Sequence, residues 1–251
     1  MKFASGFQLL AIGFAFSSAS VCADEGEWQI DVSSYGWLPK TTSGVETPFG
    51  TATSELSASD AVDSLDAALM GTVSARKGRW SLVGDVFYMD LSFRDRTPFA
   101  RLFSDIDTRT TLASVAGYGL YEVLSLDRFR LDAGLGLRWV SNDVDVSLRG
   151  ISRPDYDVSV HDSWVDPLLA VRVSAQLSDR WRAVLWVDGG GGDIGDASRE
   201  TWQITSVVSF KVSEQWSVSG GYRHLYIDRE SDGVAYDLKL SGPILGASFS
   251  F

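Results

Sequence analysis

Polar and apolar residues take turns along most of this chain. Trp181, Ala183, Leu185 and Val187 alternate with Arg182, Val184, Trp186 and Asp188. Phe129, Leu131, Ala133, Leu135, Leu137 and Trp139 alternate with Arg130, Asp132, Gly134, Gly136 and Arg138. Trp202, Ile204, Val208, Phe210 and Val212 interleave with Gln203, Thr205, Ser209 and Lys211. A period of two sends successive side chains to opposite faces of a β-strand. In a soluble sandwich the apolar face would be the core. In a transmembrane barrel the apolar face meets lipid, and the polar or glycine-rich face lines the interior. The segments outrun the usual soluble strand of about 5 or 6 residues. Aromatics gather at their ends, as an interfacial girdle requires. Both features favour the barrel.

A repeated short turn supports this. Lys77-Gly78-Arg79-Trp80, Leu126-Asp127-Arg128-Phe129, Ser178-Asp179-Arg180-Trp181 and Ser213-Glu214-Gln215-Trp216 share one plan, a polar turn followed by an aromatic that opens a strand. Longer polar connections fall at 95–107, 143–161, 190–200 and 230–235. Short turns at one end and long loops at the other are the asymmetry of an outer-membrane barrel. The predicted strands are 28–38, 66–77, 79–94, 107–122, 127–142, 162–177, 180–190, 201–212, 215–229 and 235–251. The expected fold class is therefore all-β: a transmembrane, antiparallel, up-and-down barrel of about ten strands, with eight and twelve left open. Segment 39–65 reads as a structured first loop, in which Thr51 to Leu56 is a candidate strand. Asp60 to Leu65 is a candidate helical turn capped by Ser57 or Ser59.

Both ends of the chain bear on location. Met1-Lys2, an apolar run from Phe7 to Phe16 and small residues up to Val21-Cys22-Ala23 have the layout of a signal peptide. The expected division is 1–23 signal peptide and 24–251 barrel domain. The apolar run is too short for a membrane helix, which needs about 20 residues. Ala19-Ser20-Val21-Cys22 loosely resembles a lipobox, so lipidation of Cys22 is a competing reading. The last residues resemble the terminal signal read by the bacterial outer-membrane assembly machinery, with Gly246, Phe249 and Phe251 in the signal positions. Ile244 departs from it, standing where a polar residue is preferred. The expected location is the outer membrane of a Gram-negative bacterium.

Composition adds exclusions. A net charge of -11 argues against a nucleic-acid partner held through phosphates. One cysteine excludes a disulfide framework or a Cys-rich zinc site, and two histidines leave little for a His-based one.

The runs Asp66-Ala67-Ala68-Leu69-Met70-Gly71, Ala75-Arg76-Lys77-Gly78-Arg79-Trp80, Gly84-Asp85 and Tyr88-Met89 belong to a wider pattern. It continues through Trp164-Val165-Asp166-Pro167, Leu177-Ser178-Asp179-Arg180-Trp181, Gly220-Gly221-Tyr222-Arg223-His224-Leu225 and Gly242-Pro243-Ile244-Leu245-Gly246. Together they resemble a widespread proteobacterial family of uncharacterised outer-membrane β-barrel proteins. The likeness covers nearly the whole mature chain and is densest from Trp164 onward. Gly191-Gly192 stands where that family usually has an aromatic after the double glycine. The resemblance implies a fold and a location, and no reaction.

Chemistry would have to lie in the interior. Alternation places Arg76, Arg130, Arg138, Arg172, Arg182 and Arg223 inward, with Asp85, Asp132, Asp166 and Asp188. Charges so enclosed should pair, each inward Asp with an Arg of a neighbouring strand, because an isolated buried charge is too costly. The leading expectation is a salt-bridge network filling the lumen of a non-catalytic barrel with a structural or surface-interaction role. A narrow passive pore for small polar solutes is the alternative, and Trp164 and Trp186 would narrow it if they point inward. An outer-membrane hydrolase or lipid-modifying enzyme is a second alternative. It needs a nucleophile with a poised histidine. His161, Asp162 and Ser163 are strand neighbours facing opposite ways, and His224 shares the outward parity of Trp216, Val218 and Tyr222. The acids Asp143, Asp145, Asp155, Asp157, Asp193 and Asp196 lack the spacing of a calcium loop. Gly189 to Gly192 lacks the Lys and Ser/Thr of a phosphate-binding loop. No cofactor is expected. The expected partners are outer-membrane lipid and lipopolysaccharide, with the barrel-assembly machinery and periplasmic chaperones during biogenesis.

Overall fold

A computed structural model of the protein describes residues 27–47, 50–56, 65–96, 103–150, 156–231 and 234–251. Its strands are β1 (Gln29–Trp37), β2 (Lys40–Thr47), β3 (Gly50–Leu56), β4 (Leu65–Lys77), β5 (Trp80–Arg96) and β6 (Phe103–Leu126), followed by β7 (Phe129–Gly150), β8 (Tyr156–Gln176), β9 (Trp181–Gly191), β10 (Glu200–Lys211), β11 (Trp216–Ser231) and β12 (Val234–Ser250). Strands β4 to β12 pair in sequence as antiparallel neighbours, and β1 pairs with both β4 and β12. The result is a closed ten-stranded antiparallel barrel with no free edge inside the wall. The signal-peptide segment 1–23 and Cys22 lie outside the described residues.

Segment 39–65 departs from the expectation of a loop. β2 carries on along β12 where β1 stops, pairing Lys40 with Ser241 up to Val45 with Tyr236, and β3 folds back on β2. The candidate strand at Thr51 to Leu56 is β3. Its partner β2 was missed because Lys40-Thr41-Thr42-Ser43-Gly44 carries no apolar alternation. The candidate helical turn at 60–64 lies outside the described residues, and Leu65 opens β4. The expected loops at 95–107 and 143–161 are in large part strand, since β6, β7 and β8 run far past the apolar band. Backbone ladders there need no apolar face, so hydrophobic patterning could not find them.

The outer wall carries the alternation. Leu135 is 65% exposed, Leu169 68% and Leu245 71%, and Leu135 lies directly opposite Leu169 across the β7–β8 pair. An apolar surface of this extent has no place on a soluble monomer and suits contact with lipid. The aromatics that open strands form one belt at the short-turn end. Trp80 packs on Tyr121 with ring centroids 4.9 Å apart, Trp181 on Phe210 at 4.9 Å, Trp216 on Phe249 at 5.1 Å, and Phe249 on Phe251 at 4.8 Å. The turns are stitched alike. The carbonyls of Arg79, Arg128, Arg180 and Gln215, each just before the aromatic position, accept backbone bonds from Glu122, Gln176, Lys211 and Ser250. Arg79 also stacks over Tyr121, 4.7 Å from the ring centre.

Candidate functional site

The interior is stacked in layers from the loop end to the short-turn end. The register climbs the barrel as it passes round. A row of directly paired residues leaves β1 at Ser33 and runs through Thr72, Asp85, Ala116 and Arg138 to Asp166, close to the loops. Residues on one row therefore sit at different heights, and the salt bridges join different rows.

The middle layer is a polar belt across the lumen. The Asp85 carboxylate accepts from Tyr35 at 2.8 Å, Thr72 at 2.9 Å and Arg223 at 2.9 Å. Arg223 donates onward from Nη1 to the Tyr35 hydroxyl at 2.7 Å and from Nε to Gln203 at 2.9 Å. Gln203 donates to Asp188 at 3.2 Å. Asp188 also receives Arg138 at 2.5 Å, Trp186 at 2.8 Å and Tyr118 at 3.2 Å. Arg138 and Asp188 are wholly shielded from solvent. Such charges persist only when paired and hydrogen-bonded, and of the Arg138 donors Nε is buried without a partner. The Tyr118 ring fits because position 136 is glycine: a Cβ there would lie 2.3 Å from a ring carbon.

On the loop side of the belt the interior turns apolar. Trp37, Met70, Phe87, Met89, Leu112, Val140, Trp164, Leu225, Ile227, Leu238, Leu240 and Ile244 form one buried cluster. Arg223 lies 4.9 Å from the Trp37 ring centre and 5.2 Å from that of Phe87, joining the belt to this layer. Ile244, the residue out of place in the terminal signal, belongs here. The salt-bridge network expected to fill the lumen gives way at this level to an apolar layer, packed as an ordinary core.

Above it the β9–β10 loop turns into the mouth. Ser198 is fully buried and Ala197 nearly so. Asp166 holds this loop, accepting the Ser198 amide at 2.7 Å, the Ser198 hydroxyl at 3.0 Å and the Trp164 indole at 3.0 Å. The expected Asp166–Arg pair is not what the fold builds. Arg138 lies opposite Asp166 in the register, yet it pairs with Asp188. Three neutral donors stand where the arginine was expected, two of them from a loop residue that strand alternation cannot foresee. Arg229 adds a second tie. It bonds Asp162 at 2.6 and 2.9 Å, donates to the Asp196 carbonyl, and lies 4.4 Å from the Trp164 ring centre.

At the short-turn end the lumen opens into a vestibule of about 670 Å³. On its wall Arg76 bonds Glu122 at 3.0 Å and Asp132 at 2.8 Å, Arg172 bonds Asp132 at 2.8 Å, and Arg130 lies 3.0 Å from Glu122. Arg182 also lines this space. All six predicted arginines and all four aspartates thus lie on the inner wall. Tyr35, Thr72, Tyr118, Glu122 and Gln203 join them, missed because a search for formal charges between lipid-facing positions passes over hydroxyls, amides and strand ends. At the rim, a hydrogen bond from Lys211 holds the Glu214 carboxyl below its ordinary pKa.

The other candidates sit elsewhere. Asp162 points inward to Arg229 while His161 contacts Asp143, so those neighbours do face opposite ways. His224 has a partner that sequence reasoning missed: its Nδ1 meets the Ser241 hydroxyl, and its ring stacks on Trp202 with centroids 4.6 Å apart. Asp155 lies outside the described residues. Among the described residues, no three His, Cys, Asp or Glu side chains gather as a metal site requires. Gly246 faces Tyr35, while Phe249 and Phe251 stand in the aromatic belt.

Known structures share this architecture. The chain is similar to the outer membrane protease OmpT from Escherichia coli, with a TM-score of 0.56 and 10% identity over 93% of this chain and 100% of that one. The fold is that of an outer-membrane β-barrel. At that identity the likeness speaks for the fold and not for the chemistry. The translocator domain of the autotransporter NalP from Neisseria meningitidis is a more distant match, with a TM-score of 0.40 and 12% identity over 90% of this chain and 89% of that one. No protein-family model matches the sequence, and no curated protein matches it.

Proposed function

We propose that this protein is a non-catalytic barrel of the Gram-negative outer membrane, closed to solute flow, with a structural or interaction role at the cell surface. Its loop end faces outward and its short turns face the periplasm. Lipid and lipopolysaccharide cover the apolar wall, and the assembly machinery reads Gly246, Phe249 and Phe251 during insertion. The observation that carries the closed reading is the belt from Asp85 through Arg223, Gln203 and Asp188 to Arg138, backed by the apolar layer above it. An ion crossing the lumen would have to part buried charge pairs and then enter a dry layer. Planar-bilayer recording of the refolded protein tests this. A silent bilayer is expected, and stepwise channels would overturn it in favour of a narrow pore.

A non-catalytic role is supported by where the histidines lie. His224 stacks on Trp202 on the outer wall, and among the described residues no carboxylate bonds its ring opposite Ser241. Among the described residues, the side-chain partner of His161 is Asp143.

A further inference from the structure

The vestibule at the short-turn end has two unlike walls. One carries Arg76, Arg130, Arg172 and Arg182, the first three paired with Glu122 or Asp132. Over the whole lining, seven Arg and Lys side chains stand against the four carboxylates of Asp31, Asp85, Asp179 and Glu214, in a chain whose net charge is -11. Arg182 has no carboxylate partner among the described residues. Its Nε lies 3.4 Å from Gln176 Oε1, and its side chain is exposed to the cavity. The Arg130 side chain is 42% exposed. The β10 to β12 side is hydroxylic, built from Thr205, Ser209, Ser217, Ser219 and Ser248, with Ser209 directly beside Arg182 in the register. The belt residues Asp85, Tyr118 and Arg223 form the ceiling.

We propose that this vestibule binds a small hydroxylated oxyanion of the phosphate-ester class. A guanidinium presents a planar fork of donors that matches an oxyanion bidentately. Arg182 and the open side of Arg130 offer such forks without dismantling an existing pair. The neighbouring hydroxyls both donate and accept, which suits a polyol carried by the same ligand. About 670 Å³ falls within the usual range for a small-molecule site, and a charged cleft with low-dielectric walls concentrates counter-ions. The inference rests on the closed-barrel reading only for its sidedness: with the lumen shut above, the ligand enters and leaves by the periplasmic mouth.

Calorimetric titration of the detergent-refolded full chain with glucose 6-phosphate, and with glucose as neutral control, tests the site. Saturable binding of the phosphate ester and none of glucose is expected, weakening as salt rises. Arg182→Gln should lower the affinity about tenfold, the scale of one lost charge-assisted contact. It should leave the heat-modifiable folded form intact, because Arg182 takes no part in the belt. Arg130→Gln serves as the second variant and should weaken binding in the same direction. Absence of saturable binding, equal binding of glucose, or unchanged affinity in both variants would overturn the site. None of these results bears on conductance, so the closed barrel stands or falls separately.

Discussion

Arg138 and Asp188 show what a single residue contributes in this interior. Both side chains are shut off from solvent, 2.5 Å apart, with Tyr118, Trp186 and Gln203 completing the shell of Asp188. Removing one charge leaves the other buried and unpaired, typically a loss of about 3–5 kcal/mol. Asp188→Asn should therefore lower the urea midpoint of the refolded barrel sharply. A midpoint matching wild type would mean that water reaches this pair. Asp166→Asn should behave differently, because its donors are the Ser198 amide and hydroxyl and the Trp164 indole rather than a guanidinium. Alternation made the inward side of all four aspartates legible in the sequence. It could not say which arginine each would meet, because that depends on the climb of the register and on a loop returning into the mouth.

At the scale of elements, the inturned β9–β10 loop is where backbone chemistry decides the architecture. Gly191 and Gly192 have φ of 88° and 84°, a region open to glycine and strained for other residues. A Cβ at Gly191 would also lie 2.4 Å from the Ser198 carbonyl oxygen. Gly191→Ala should thus push Ser198 off Asp166 and release the loop from the mouth. The check is limited trypsin digestion of the folded protein, because Arg199 closes this loop and stands half exposed beside Glu230. Faster cleavage after Arg199 is expected in the variant, and an unchanged digestion rate would show that the loop is held by other means. In the sequence Gly191-Gly192 stands out only by the aromatic it lacks, and its real work, folding the loop inward, needs the partner Asp166 to be seen. The short turns were more legible, since polar turn and opening aromatic recur in a fixed order. Strand extensions past the apolar band were least so, since nothing in their polarity sets them apart from loops.

For the whole molecule, the decisive step is closure between the first and last strands. β12 pairs with β1 from Asp31–Ser250 to Trp37–Ile244 and then continues with β2 from Lys40–Ser241 upward. One strand thus seals the wall and carries the β2–β3 hairpin above it. Phe251 stands just beyond β12, where its amide donates to the Ile30 carbonyl at 2.9 Å and its ring packs on Phe249. The side chain is still 41% exposed, so its truncation opens no cavity in the interior. Phe251→Ser should therefore refold in detergent with close to the normal yield of heat-modifiable protein. In cells the same variant should accumulate far less folded barrel, if the terminal aromatic is read during insertion rather than needed for packing. The two measurements separate recognition from stability. Equal losses in both settings would make Phe251 an ordinary packing residue, and normal yields in cells would remove it from the assembly signal.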